Sequence, residues 1–447
     1  MASQHTGAGF TRRTLLAGAG SVAAATLLAA CSTGPGTGGG SGSSSGSGKP
    51  LKFWNMPWGP QAFLTEDKRI TAAYKPAKGD PSVTYQQIQW ANFTQSFSTA
   101  VAGNTNPAVS SGGGTTAFLF EKQGKIQYLD SLINGSDWSS IKSDFLPGLV
   151  DTMKTANGYA AVPYNLDMRV YWYRKDLLQK AGVNPPTTWD EFEKACAALK
   201  KMNIYGYGTY SGAGAFTGGH TLVSHMINNG GGLFNSSQEP DVVTPANIEA
   251  IEWVLGLVQN GYVDPKSAAY TSANAYTQMN ANKFGMIWDG AGTPANVNPT
   301  VAANLVAGDP LTGPSGGKGA LYFPNNMFIF KANNPSIKGS EDFLTYYYKN
   351  MKTLWTKKTG IGLPPLKSIA TAAYANDPNS TKIINDWQPI SKTWGAPGQN
   401  TVFYNVTKVD GTQPMITFAQ QVLGGSLKGK AGATKALTTL QNALQSA

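Results

Sequence analysis

Val162-Pro163-Tyr164-Asn165-Leu166-Asp167-Met168-Arg169-Val170-Tyr171-Trp172-Tyr173-Arg174-Lys175-Asp176-Leu177-Leu178 is the stretch whose reading decides the fold. Taken as extended chain, its alternation sends Asn165, Asp167 and Arg169 to one side. There Asp167 and Arg169 either face a ligand or pair with each other as a structural ion pair.

Just downstream, Thr188-Trp189-Asp190-Glu191 fits a capping box, in which the Thr hydroxyl and the Glu carboxylate satisfy free amides reciprocally. Phe192, Ala195, Cys196 and Leu199 follow at i, i+3, i+4 and i+7, one apolar helix face. Cys196 lies on that stripe and reads as core packing, not as a nucleophile. Thr244-Pro245 is a second start, a cap followed by proline at the first helical position. Ile248, Ile251, Leu255 and Val258 form its stripe, and an Ala/Leu helix closes the chain over about 434–445.

Upstream, strand-like and helix-like stretches alternate. Leu51 to Trp54 reads as a strand, with a helical stretch after Pro60. Val83 to Trp90 reads as a strand, and Asn92 to Ala102 as a helix through Phe93, Phe97 and Val101. Ala108-Val109-Ser110 reads as a strand ending in Gly112-Gly113-Gly114. This rhythm predicts an α/β body with mostly parallel sheets. No repeat of fixed period is present.

The N-terminus carries a different message. Thr11-Arg12-Arg13 precedes a mild apolar run to Leu28-Ala29-Ala30-Cys31, the three parts of a secretory signal. From Leu15 to Ala30 there are 16 residues, short for a spanning helix of about 20. The Arg pair resembles a twin-arginine signal and Leu-Ala-Ala-Cys a bacterial lipobox, which predicts a signal over 1–30 and lipidation at Cys31. Residues 32–49 are almost all Gly, Ser and Thr, a flexible tether of roughly 25 Å mean span. A body exported and held to the outer face of a bacterial membrane is expected.

About 398 residues follow Lys49, enough for two domains. The net charge of +10 comes from scattered lysines, and charged residues are only 13% of the chain. Nucleic-acid binding needs a concentrated basic stripe, so none is expected; a basic body near an anionic membrane or wall is the simpler reading. Of the two cysteines one is the lipid site, so no disulfide is expected. His220 and His225 are the only histidines of the body; five apart, they share no helix face and read as ordinary polar or core residues. No metal site and no cofactor are expected.

The quoted stretch, with Lys180-Ala181-Gly182-Val183 and Pro185-Pro186-Thr187-Thr188-Trp189-Asp190-Glu191-Phe192 after it, resembles the extracellular solute-binding proteins of carbohydrate ABC importers, the family that includes maltose-binding protein. Gly124 to Leu132, Gly230-Gly231-Gly232-Leu233-Phe234 and Gly285-Met286-Ile287-Trp288-Asp289-Gly290 agree with it, and the resemblance runs from Leu51 to the end. The chain departs from the pattern at Asn106-Pro107-Ala108-Val109, where the family commonly has Pro-Asp-Val, and in the small-sided glycine run that follows. The resemblance implies a two-lobed α/β fold of the periplasmic-binding-protein type (class II), mostly parallel sheets with flanking helices and a ligand cleft between the lobes. By analogy lobe 1 holds residues 51–167 and 324–363, and lobe 2 holds 168–323 and 364–447, with Thr359 to Pro365 as the third crossing. It also implies a monomer that hands its ligand to membrane permease subunits.

A sugar offers polar hydroxyls at its edge and less polar C–H faces, so its binder needs aromatic planes and fork-shaped polar groups. Each hydroxyl stripped of water must regain a hydrogen bond, and charged partners make the stronger ones. Ligands of open α/β sheets sit beyond the carboxyl ends of strands. That places Asn55 (edge) and Trp58 (face) after the first strand, while Trp54 reads as lobe packing. Gly113 and Thr115 follow the third strand, where bare amides and hydroxyls meet a ligand. Tyr164, Asn165, Asp167 and Arg169 lie on the first crossing, where the family often carries an acidic sugar contact, here Asp167. Trp288 and Asp289 precede a turn, Trp394 lies where relatives often stack an aromatic, and Trp90 completes the set.

A secreted glycoside hydrolase is the rival from another class. It needs two carboxylates roughly 5–9.5 Å apart, for which Asp167 and Asp289 are the candidates. No serine elbow, metal motif or phosphate loop accompanies them, and the resemblance implies a non-catalytic protein. A peptide, polyamine or metal chelate is the remaining alternative; few acids and many Trp and Asn in the candidate cleft favour sugar.

Overall fold

Leu51–Asn55 is almost wholly buried because it is the centre of a sheet, pairing in parallel with Val83–Gln87 on one side and Val109–Ser111 on the other. This computed structural model describes residues 48–90 and 93–446; the expected signal, Cys31, His5 and the tether up to residue 47 lie outside them. Helices Gln61–Ala72 and Phe93–Ala102 connect the three strands in βα units, and such connections enforce parallel pairing. Phe53 meets Tyr85, Phe343 and Tyr347 edge-on at 5.1–5.8 Å, an aromatic core between sheet and helix Ile337–Asn350.

Ala320–Phe330 extends this sheet, and all eleven of its residues are buried. It runs antiparallel to Val109–Ser111 and to Val162–Met168. A second sheet has Val170–Arg174 at its centre, antiparallel to Met286–Asp289 and to Leu305–Ala307. Parallel bridges from Tyr205 and Gly208 to Phe284 and Ile287 extend it. The βα units pair in parallel, and Ala320–Phe330 pairs antiparallel with Val109–Ser111 and Val162–Met168 but parallel with Ser391–Lys392 at its start. The result is a two-lobed α/β molecule, one lobe around each sheet.

The chain changes sheets at a single residue. Met168 is the last partner of Tyr322 in the large sheet, and Val170 pairs with Asp289 in the small one. Arg169 stands between them, its amide on Leu321 O at 2.9 Å. Leu363 exchanges two 2.8 Å backbone bonds with Leu166, so the expected 359–365 segment runs beside that crossing.

Several elements differ from the sequence expectation. The second strand ends at Gln87, not Trp90, which frees Trp90 from the sheet. The third is Val109–Ser111, one residue later than read, and the last helix is Gly429–Gln445, five residues longer at its start. Thr188 caps helix Trp189–Lys200 as expected, accepting from Glu191 N, but the Glu191 carboxylate takes the Thr187 amide and hydroxyl at 2.8 and 2.7 Å. Cys196 is buried on that helix, and burial pushes its thiol well up. In helix Pro245–Gln259, Ile251 and Leu255 are buried while Ile248 and Val258 are half-buried; Ala250, Val254 and Leu257 widen the stripe.

Candidate functional site

Asp167 and Arg169, two apart on the crossing, do share a side. The Arg169 Nη1 donates to Asp167 at 2.7 Å, so the ion pair forms. The Arg169 side chain is only 9% exposed and that of Asp167 is 42% exposed; the cation is inside and the acid opens outward. Burial works against the arginine's charge, but Asp167 and Asp289 outweigh it and raise its pKa. A methyl group on Gly290 would lie 3.2 Å from Asp167 Oδ1 and 3.5 Å from Arg169 Nη1, so glycine gives the pair its room.

On the large-sheet wall, Asn55 is fully buried and both ends of its amide are occupied. Nδ2 donates to Asp67 at 2.7 Å, and Oδ1 accepts from Met56 N at 3.0 Å and from the Ser111 hydroxyl. Asn55 is therefore a brace for the wall, which corrects the expectation of a ligand contact. Ser111 Oγ in turn accepts the Trp58 indole N–H at 3.0 Å. Burial pushes Asp67 up to about 6 despite hydrogen bonds from Tyr347 and Asn55. Tyr164 is fully buried and bonded to the Tyr347 hydroxyl at 2.8 Å, again support and not surface.

Trp58 is half-buried and meets Trp90 edge-on at 5.0 Å. Trp90 is 43% exposed, with its indole N–H on Pro57 O at 3.2 Å. The glycine run beside them is sterically required at Gly112, where a Cβ would stand 2.4 Å from that of Thr116. Asn165 is buried, its Oδ1 accepting from Asn325 Nδ2 at 3.0 Å and its own Nδ2 without a partner among the described residues.

On the small-sheet wall the expectation for Trp288 is overturned. It is 1% exposed and packed by Tyr171, His225 and Trp387 at 4.6–5.8 Å, in the lobe's core. Asp289 is buried and held by Tyr210 at 3.2 Å, Tyr276 at 2.9 Å and Gly290 N at 2.7 Å. Burial raises its pKa against the pull of Arg169. It is a fixed anchor for two tyrosines, with no oxygen free for a ligand. Trp394 is 3% exposed and packs on His220 at 5.4 Å and on Phe323 of the large sheet at 5.6 Å, behind the surface.

The two histidines share helix Thr217–Asn228 but face apart. His225 bonds the Tyr207 hydroxyl at 2.9 Å, while His220 Nδ1 lies 3.0 Å from Arg169 Nη2. Burial, then Arg169, depress the His220 pKa well below its usual value, so the ring is neutral. Its Nδ1 must accept from the guanidinium, which places the proton on Nε2. Nε2 points to Asp410 at 3.8 Å.

Trp90, Gly113 and Thr115 line one cavity of about 660 Å³, closed on its far side by Phe216, Thr407, Asp410 and Gly411. That volume suits a small-molecule site, typically about 300–1,000 Å³. A second cavity of about 580 Å³, lined among others by Ala291, Gly292, Trp355, Gly362 and Tyr374, begins one residue past Gly290. Phe216, His220 and Asp410 were not singled out in the sequence as site residues. Gly411, at φ +72°, fixes the turn that presents Asp410 and was the one local signal for it.

The family model for bacterial extracellular solute-binding proteins matches residues 61–353. A sugar transporter from Arthrobacter chlorophenolicus, solved with bound laminaribiose, is 41% identical, covering 89% of this chain and 99% of that one with a TM-score of 0.78. The sugar-binding protein MalE from Xanthomonas citri superimposes with a TM-score of 0.72 at 20% identity, over 89% of this chain and 98% of that one. A binding protein of Brucella abortus is 25% identical over 315 residues, 69% of this chain and 74% of the relative.

Proposed function

The chain belongs to the bacterial extracellular solute-binding protein family, and on that premise we propose that it captures a sugar or short oligosaccharide between its lobes for import by an ABC permease. The observation that carries this reading is one cavity with Trp90, Gly113 and Thr115 on one side and Phe216 and Asp410 on the other, with Trp58 edge-on to Trp90; Asp167, 42% exposed at the crossing, is taken as a further contact in this reading. Aromatic planes suit sugar faces, and carboxylates with spare acceptor capacity suit hydroxyl edges. The laminaribiose held by the Arthrobacter relative supports a glucose-based disaccharide as the first probe.

Capture works by population shift: ligand bridges the lobes and stabilises a closed form through contacts that only closure makes. In this reading the pivot of closure is Arg169, where the chain passes from sheet to sheet. Hydrolysis by the expected Asp167–Asp289 pair needs both carboxylates available at the scissile bond. Asp289 has both oxygens engaged by tyrosines and an amide, which speaks against that pair.

The same reading gives the protein its place. A signal ending at Ala30, lipid on Cys31 and the tether to Lys49 hold a monomeric receptor close to its permease. Among the described residues no helix is long and apolar enough to cross a membrane. A thermal-shift screen of glucose, laminaribiose, maltose and xylobiose, with chromatography of the incubated sugars, tests the function. A rise in Tm with unchanged sugar supports it, whereas no shift from any sugar, or conversion to product, contradicts it.

A further inference from the structure

The cleft holds a second carboxylate that no sequence motif announces. Asp410 follows the turn Tyr404–Lys408 and precedes helix Gln413–Leu423, with its amide on Val406 O at 3.2 Å. Gly411, in the left-handed region at φ +72°, lets the chain reverse there. The turn sets the Asp410 side chain, 26% exposed, in the wall of the cavity lined by Trp90, Thr115 and Phe216.

What holds this carboxylate leaves it open. The Gly411 amide bonds it, and its one ion-pair neighbour among the described residues is the neutral His220, at 3.8 Å, beyond hydrogen-bond length. Arg169 attracts it from farther away but gives its direct bonds to Asp167 and His220. The remaining cavity wall is aromatic, apolar or neutral polar. An acid covered in this way, with unfilled acceptor sites facing a cavity, is relieved by a donor from outside the protein.

Resting on the sugar-binding reading, we propose that Asp410 is a direct ligand contact and specificity determinant: it accepts sugar hydroxyls at the end of the cleft walled by Trp90 and Phe216, while Asp167 serves the crossing. Arg169 and His220 lie between the two acids, so the carboxylates address different hydroxyls of one ligand. A charged acceptor is the stronger partner for a hydroxyl, and a ligand lacking a hydroxyl at that end leaves the acid desolvated and unpaired.

The test uses the full-length protein and whichever of glucose, laminaribiose, maltose and xylobiose the wild type binds most tightly. Asp410→Ala is expected to weaken calorimetric affinity roughly tenfold or more, and Asp410→Asn less, with Tm of the ligand-free protein within about two degrees of wild type. Wild-type binding with unchanged affinity in both variants overturns the assignment and leaves the sugar-binding function standing. Absence of binding by the wild type itself contradicts the function and the assignment with it.

Discussion

Arg169, the one residue where the chain leaves the large sheet for the small one, holds Asp167 at 2.7 Å. The guanidinium is also the shared counter-charge for Asp289 and Asp410. Arg169→Met therefore leaves several acids without their cation. It is expected to destabilise the fold by about 2 kcal/mol or more, less than a fully buried pair because Asp167 is half in water. Urea unfolding checks this; a variant as stable as wild type removes Arg169 from the account of the junction.

Trp90 and Trp58 separate ligand contact from wall support. Trp90 is 43% exposed, so Trp90→Ala is expected to leave Tm within about two degrees while weakening sugar binding roughly fivefold or more. Trp58→Ala also loses the indole bond to Ser111 and the edge contact with Tyr164, and is expected to lower stability by about 2 kcal/mol as well. Equal Tm losses in the two variants contradict the division of roles.

Asp67 gives a pH signature. Its pKa is about 6 in the fold against about 3.9 in an unfolded chain. The native state binds the proton more tightly, so this contribution is fully present below about pH 3.9 and lost as pH rises through about 6. Asp67→Asn removes the titration, and other groups are common to both proteins. The stability difference between wild type and Asp67→Asn is thus expected to shrink, by on the order of 2 kcal/mol, between about pH 4 and about pH 6. A difference that stays constant with pH places the Asp67 proton elsewhere.

Lobe closure makes a prediction about shape. Solution X-ray scattering is expected to show a smaller radius of gyration with saturating ligand than without. Identical profiles under a tight-binding sugar contradict closure.

The fold was legible because its signals are local and redundant. Thr188 and Thr244 mark helix starts that the structure keeps, and the crossing string orders its polar residues by simple alternation. The site was less legible because burial depends on partners far along the chain. Trp288 belongs to a core assembled with His225 and Trp387. Asn55 is taken up by Asp67 and by Ser111, 56 residues away. Asp410 reaches the cleft only because a turn near the C-terminus packs against His220, a proximity no spacing encodes. That Asp167 and Arg169 share a side was readable, since alternation along the crossing fixes it.

Asp167 therefore carries the central claim, and the most direct test is calorimetric titration of the tightest-binding sugar into wild type and Asp167→Ala. Wild type is expected to bind saturably and one-to-one, and the variant roughly tenfold or more weakly with its fold intact by Tm. Equal affinity in the two proteins contradicts the claim.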